Sequence, residues 1–152
     1  MIGHLQRNKV ERTLPLVKLI HSADSLRLLT ALEAEAAKTQ RTVDVLLEVN
    51  ASREVSKHGF APAEVGELPG RLAELRHVRV RGLMTMAAPG DPEESRATFA
   101  EVRVLAERLR RELGPPHDLQ HLSMGMSGDF EVAVAEGATL VRLGTVLFEG
   151  LS

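Results

Sequence analysis

The chain has no cysteine, no tyrosine and no tryptophan among its 152 residues. Lack of cysteine excludes a disulfide framework, a thiolate metal site and a cysteine nucleophile. Lack of tyrosine excludes any mechanism in which a phenol of this chain moves a proton. No apolar run approaches the eighteen or more residues that a membrane span requires, and Met1 opens on I-G-H-L-Q without the basic, apolar and small-residue stretches of a secretion signal. A cytoplasmic protein with no membrane partner is the expectation. Charge of one sign is also missing: nineteen basic residues face twenty-one acidic ones, for a formal net charge of −2. With no basic excess and little aromatic interleaving, nucleic acid is not an expected partner.

What is present is an alternation of short apolar runs with segments of helical period. Strands are expected at 1–5, 17–21, 43–49, 78–86, 119–124 and 140–148. Most are nearly continuous in apolar or β-branched residues, V-D-V-L-L-E-V for example, as in strands buried on both faces of a parallel sheet. Helices are expected over 25–38, in two short pieces within 62–76 broken at Pro69-Gly70, after the D-P-E-E start at Asp91, and over 130–136. In the Asp91 helix, Phe99, Val102, Ala106, Leu109 and Leu113 recur at spacings of three and four and form one apolar stripe, and Gly114-Pro115 ends it. Strand and helix alternate without a linker, so residues 1–152 read as one α/β domain, either a doubly wound sheet or a barrel.

Two turns carry the chemistry. In S-M-G-M-S-G-D-F-E, residues 123–131, the chain leaves a strand, turns at Gly125 and Gly128 and enters a helix whose first backbone N–H groups favour an anion. The alternative is plain capping by Ser127 or Gly128 with Glu131. In V-R-L-G-T-V-L-F, residues 141–148, Gly144-Thr145 interrupts a strand, which often marks the close approach of a ligand or another backbone. These are the last two expected strands, and barrels often hold phosphate at that place. A serine hydrolase is disfavoured, because G-M-S-G lacks the G-x-S-x-G spacing and the last histidine, His121, precedes Ser127. The six histidines show no metal-ligand spacing such as H-E-x-x-H, and His4 and His21 stand out only by lying near expected strand ends.

Taken together, I-G-H-L-Q-R-N-K, L-I-H-S-A-D-S, S-K-H-G-F, R-G-L-M-T-M, L-S-M-G-M-S-G-D-F-E and V-R-L-G-T-V-L-F resemble the pyridoxal phosphate homeostasis protein family. That resemblance implies a TIM-type (β/α) barrel like that of alanine racemases. It also implies pyridoxal 5′-phosphate as the small-molecule cofactor and a role in vitamin B6 and amino-acid homeostasis without established catalysis. It places the cofactor phosphate at Ser127 with backbone donors from Gly144 and Thr145, sets Arg142 against the pyridine nitrogen, and lines the pocket with Asn8 and Met126. The six expected strands match the third to eighth of eight. The first two strands and the Schiff-base lysine of the family would therefore lie upstream of Met1. None of Lys9, Lys18, Lys38 and Lys57 occupies that lysine's position. Such an incomplete barrel exposes open edges, from which self-association follows. The competing readings are a remnant unable to hold the cofactor covalently and a racemase-like enzyme; the latter is disfavoured because its two-base chemistry uses a lysine and a tyrosine.

Overall fold

The computed structural model describes residues 1–54 and 58–150. Ser56 and Lys57 of the S-K-H-G-F motif therefore lie outside the described residues. A 3-10 turn at Arg7–Lys9 leads into α1 (Val10–Thr13), followed by β1 (Leu19–Ala23), α2 (Leu26–Lys38) and β2 (Val43–Glu48). Then come α3 (Pro62–Val65), α4 (Pro69–Leu72), β3 (Val78–Met84), α5 (Ser95–Glu112), β4 (His121–Ser123), α6 (Phe130–Ala135) and α7 (Thr145–Phe148). The four strands pair in chain order β1-β2-β3-β4, and every pair is parallel. This is the expected α/β architecture, an arc of a barrel with helices in the crossovers.

Two expected strands are not strands in the structure. Residues 1–5 include no strand; instead Met1 meets the β1 edge, where its amine donates to the Leu19 carbonyl at 2.6 Å and its carbonyl accepts from His21 N at 2.8 Å, and the Gly3 carbonyl accepts from Ser22 Oγ at 2.6 Å. At the other end Leu140 makes a single parallel bridge to Ser123, after which the chain turns at Gly144 into α7. The V-L-F run looked apolar enough for a buried strand, but Val146, Leu147 and Phe148 are exposed. Such a strand needs a neighbour on each side and a covered face, and among the described residues Ser127 is the group that meets this segment.

The helices form for the reasons visible in their sequences. Ser25 caps α2 by accepting from Leu28 N at 3.3 Å, and Leu28, Leu29, Leu32 and Ala36 turn to the sheet. Asp91 accepts from Glu93 N at 2.9 Å, but it opens a 3-10 turn at Pro92–Glu94 that runs into α5, rather than α5 itself. Phe99, Val102, Ala106 and Leu109 are buried as their spacing requires, and Leu113 is half-buried.

The two sheet faces differ. Val43, Val45 and Leu47 of β2 and Val78, Val80 and Leu83 of β3 join the helix-side core. Strand period places Asp44, Leu46 and Glu48 on the opposite face, where Asp44 pairs with Arg79 at 2.7 Å. Leu46 and Met84 are buried yet stand apart from the helix-side cluster. The expectation of strands apolar on both faces is thus corrected: Asp44 and Glu48 mark a polar inner face, and all strand carboxyl ends emerge on the same rim.

β3 and β4 approach so closely at Gly82 that an added Cβ would lie 1.8 Å from the His121 carbonyl oxygen. Neither atom belongs to a flexible side chain. Gly82→Ala is expected to destabilise the fold by about 3 kcal/mol or more, measured as a large fall in melting temperature or insoluble expression; wild-type melting would contradict the packing described.

In the α5–β4 connection, buried His117 bonds to both β3 and α4. Its Nδ1 accepts from Val80 N at 3.1 Å while Nε2 lies 2.9 Å from the Leu72 carbonyl, which fixes the neutral ring with its proton on Nε2. Burial holds its pKa below the usual histidine value of 6.5. The unfolded ring takes up a proton as pH falls through about 6.5 whereas the folded ring does not, so stability is full above that pH and declines below it. Urea midpoints measured from pH 7.5 to 4.5 are expected to fall, and His117→Gln to show a shallower fall; identical pH slopes would contradict this assignment.

Candidate functional site

The rim formed by the strand ends is where β4, its loop and the last turn meet. Gly125, at φ 93°, follows β4, and an added Cβ there would meet Ala133 Cβ at 2.5 Å and Phe130 Cα at 3.0 Å. Its role is to let α6 fold back against the strand end. Nothing lies within 4 Å of a Cβ added at Gly128 or Gly144, so Gly144 marks open space beside the turn rather than contact with another backbone.

Neither expected capping arrangement occurs at α6. The Asp129 carboxylate instead accepts from Met126 N at 2.6 Å, which takes up a donor that would otherwise face the turn. Ser127 points elsewhere. Its Oγ accepts from Gly144 N at 3.2 Å and from Val146 N at 3.3 Å. Two backbone donors from the last turn therefore converge on a single hydroxyl oxygen, and an anion's oxygen has the same requirement as that hydroxyl. The two amides that meet Ser127 come from residues 144 and 146, in the last turn rather than in α6.

Arg142 enters the rim from the segment between these turns, with its backbone N bonded to the Gly125 carbonyl at 3.0 Å. Its guanidinium is half-buried over the end of β3: Nη2 donates to the Thr85 carbonyl at 2.8 Å, and Nη1 lies 3.4 Å from Met84 Sδ. Nε is buried and has no hydrogen-bond partner among the described residues. Burial lowers the Arg142 pKa, and the charges of Glu48 and Asp129 oppose that shift; a guanidinium stays protonated regardless. An unpaired buried donor costs stability, so the Nε position suits an acceptor arriving from outside the chain.

Across the rim, His21 of β1 places Nδ1 2.9 Å from Ser123 Oγ of β4. Burial first, then nearby positive groups including Arg142, lower the His21 pKa to about 4. The ring is neutral at physiological pH, with one donor and one acceptor nitrogen. Glu48, at the end of β2, is buried, and burial followed by the charge of Asp24 pushes its carboxyl pKa up.

The six sequence-predicted site residues are only partly assembled. Ser127 and Gly144 are in direct contact, and Arg142 is two residues away along the same segment. Thr145 begins α7 and is exposed, while Val146 rather than Thr145 supplies the second amide to Ser127. Met126 is 48% exposed. Asn8 lines a cavity of about 700 Å³ together with His4, Asp24 and His58. Glu48 feels the charges of Arg142 and of His4, His58 and Asp24. The sequence reading missed Glu48, Ser123, Thr85 and Val146. Only Glu48 left a usable signal, a carboxylate in the otherwise apolar V-L-L-E-V.

A family model described as alanine racemase, N-terminal domain, matches residues 1–151. The pyridoxal phosphate homeostasis protein of Aquifex aeolicus is 46% identical over 148 residues, covering 97% of this chain and 64% of the relative. The chain thus spans a little under two thirds of that protein. Among solved structures, PipY of Synechococcus elongatus without PLP superposes with a TM-score of 0.88 at 39% identity, covering 96% of this chain and 68% of PipY. PipY with PLP bound superposes at 0.85 with 37% identity and the same coverage. No described helix is long and apolar enough to cross a membrane. The whole-length family match and the agreement with PipY in both sequence and backbone place this chain in the alanine racemase N-terminal domain family, among its pyridoxal phosphate homeostasis proteins.

Proposed function

We propose that this chain binds pyridoxal 5′-phosphate reversibly at the Ser127–Gly144 junction and serves vitamin B6 and amino-acid homeostasis as a carrier, not as an enzyme. The observation that carries this reading is the convergence of Gly144 N and Val146 N on Ser127 Oγ, together with a buried Arg142 Nε that has no partner among the described residues. Both features fit a phosphorylated pyridine. Ser127 and the two amides would hold the phosphate, and Arg142 would donate to the ring nitrogen.

Bound pyridoxal phosphate supplies an aldehyde and an electron-withdrawing ring. Arg142 limits the second property: a permanently protonated guanidinium donates a hydrogen bond but does not release its proton, so the ring nitrogen stays uncharged and the ring a weaker electron sink. Neutral His21, held by Ser123, offers one acceptor nitrogen to the same rim. Racemase chemistry finds little support in these residues. The chain contains no tyrosine, and Lys9, Lys18 and Lys38 are exposed.

Three charge-assisted hydrogen bonds contribute about 1.5 to 3 kcal/mol each and must offset an association cost of about 4 kcal/mol or more. Weak binding that depends on the phosphate is the outcome. Calorimetry is expected to show pyridoxal phosphate binding more tightly than pyridoxal, and Ser127→Ala to weaken the phosphorylated ligand about tenfold while leaving pyridoxal unchanged. Equal affinities of the wild-type chain for the two ligands would contradict the proposal.

A further inference from the structure

The cavity that holds Asn8 carries a second constellation, one that phosphate binding does not use. His4, Asp24 and His58 present ligand-type atoms that all lie within 4.8 Å of one another. Asp24 directly follows β1, and its side chain is only 9% exposed. One carboxylate oxygen, Oδ2, lies 3.0 Å from His4 Nδ1; the other, Oδ1, accepts from Ser25 Oγ at 3.0 Å. The His4 and His58 rings are stacked with centroids 4.2 Å apart and planes inclined by 17°.

A nearly buried carboxylate ordinarily has a cationic partner. Among the described residues Asp24 forms no ion pair with lysine or arginine, and its charged contact is His4 alone. Glu48, itself buried, adds a second acidic group close enough to feel the Asp24 charge. The local chemistry is therefore two imidazoles and a fixed carboxylate with a further acid within electrostatic range, at a cavity whose wall also carries Arg7 and Arg27.

The geometry points to a binding site for a divalent transition-metal ion of the zinc class, ligated by His4, Asp24 and His58, with a fourth position open to the cavity. Two imidazoles and one carboxylate are a donor set for such ions rather than for calcium or magnesium, which take oxygen ligands. Around a tetrahedral ion with bonds of about 2.0 to 2.2 Å, ligand atoms sit roughly 3.3 to 3.5 Å apart. The His4–Asp24 pair, at 3.0 Å, is already close to that spacing. His58 is exposed, so a side-chain rotation brings its nitrogen into range. The Ser25 hydroxyl fixes the orientation of the carboxylate from outside, as outer-shell partners of metal ligands do. Asn8 and Gln6 line the same cavity, so a small polar molecule entering it would come close to an ion held there.

The test is a titration of the untagged, chelator-treated full chain with Co²⁺, followed by calorimetry and by the visible d–d bands of cobalt. One saturable site per chain is expected. His4→Ala, His58→Ala and Asp24→Asn should each weaken it at least about tenfold, with melting curves confirming that each variant folds. His77→Ala, which alters a histidine paired with Glu33 elsewhere, and Ser127→Ala should leave the site intact. The second of these separates this inference from the phosphate reading. Absence of saturable binding to the folded wild type, equal affinity in the His4 and His58 variants, or an equal loss in His77→Ala would each overturn the assignment.

Discussion

Parallel pairing is the constraint on which the rest of the structure depends. Because β1 to β4 all run the same way, each strand must be returned by a crossover, and every carboxyl end emerges on one rim. Asp24, Glu48, Thr85 and the loop after Ser123 are brought together by that geometry and by nothing in their sequence spacing. The crossovers α2 and α5 cover the opposite, apolar face, and in doing so leave the inner face free to be polar. Gly82 sets how tightly the last pair closes, since the backbone of β4 occupies the space a side chain would need. The relation of Ser123 to His21 across the rim follows from that closure.

Electrostatics then divides the rim. Arg142 brings a permanent positive charge over Met84 and Thr85, and the amides of Gly144 and Val146 add partial positive charge at Ser127. Asp24 and Glu48 put negative charge on the other side, where His4 and His58 face them. The proposed phosphate site draws on the first set of charges and the inferred metal site on the second. Glu48 feels charges from both sets: burial and then Asp24 raise its carboxyl pKa, with His58, Arg142 and His4 opposing. A ligand that neutralises either half changes the field felt by the other.

Much of this was legible in the sequence. Apolar runs located β2 and β3 almost to the residue, and the three-and-four spacing of Phe99, Val102, Ala106 and Leu109 identified the buried stripe of α5. The glycine-rich turn and the later Gly144 were read together, and the structure joins them through Ser127. The ends of the chain were misread because composition measures apolarity, not whether a neighbour exists to cover it: residues 146–148 are as apolar as a buried strand yet remain exposed. The amide of Val146, which donates to Ser127, was not foreseen, since a backbone amide carries no sequence signature. The His4, Asp24 and His58 group was invisible for a related reason: its members lie on three separate segments and meet only when β1 is paired and residue 58 returns beside it.

The central claim is that the amides of residues 144 and 146 are an anion-binding pair now satisfied by Ser127. Amide ¹H–¹⁵N spectra recorded while pyridoxal phosphate is added test it most directly. The Gly144 and Val146 resonances are predicted to move in a saturable way, to move likewise with inorganic phosphate at higher concentration, and to stay in place with pyridoxal. Shifts confined to residues around His4 and His58, with Gly144 and Val146 unmoved, would contradict it.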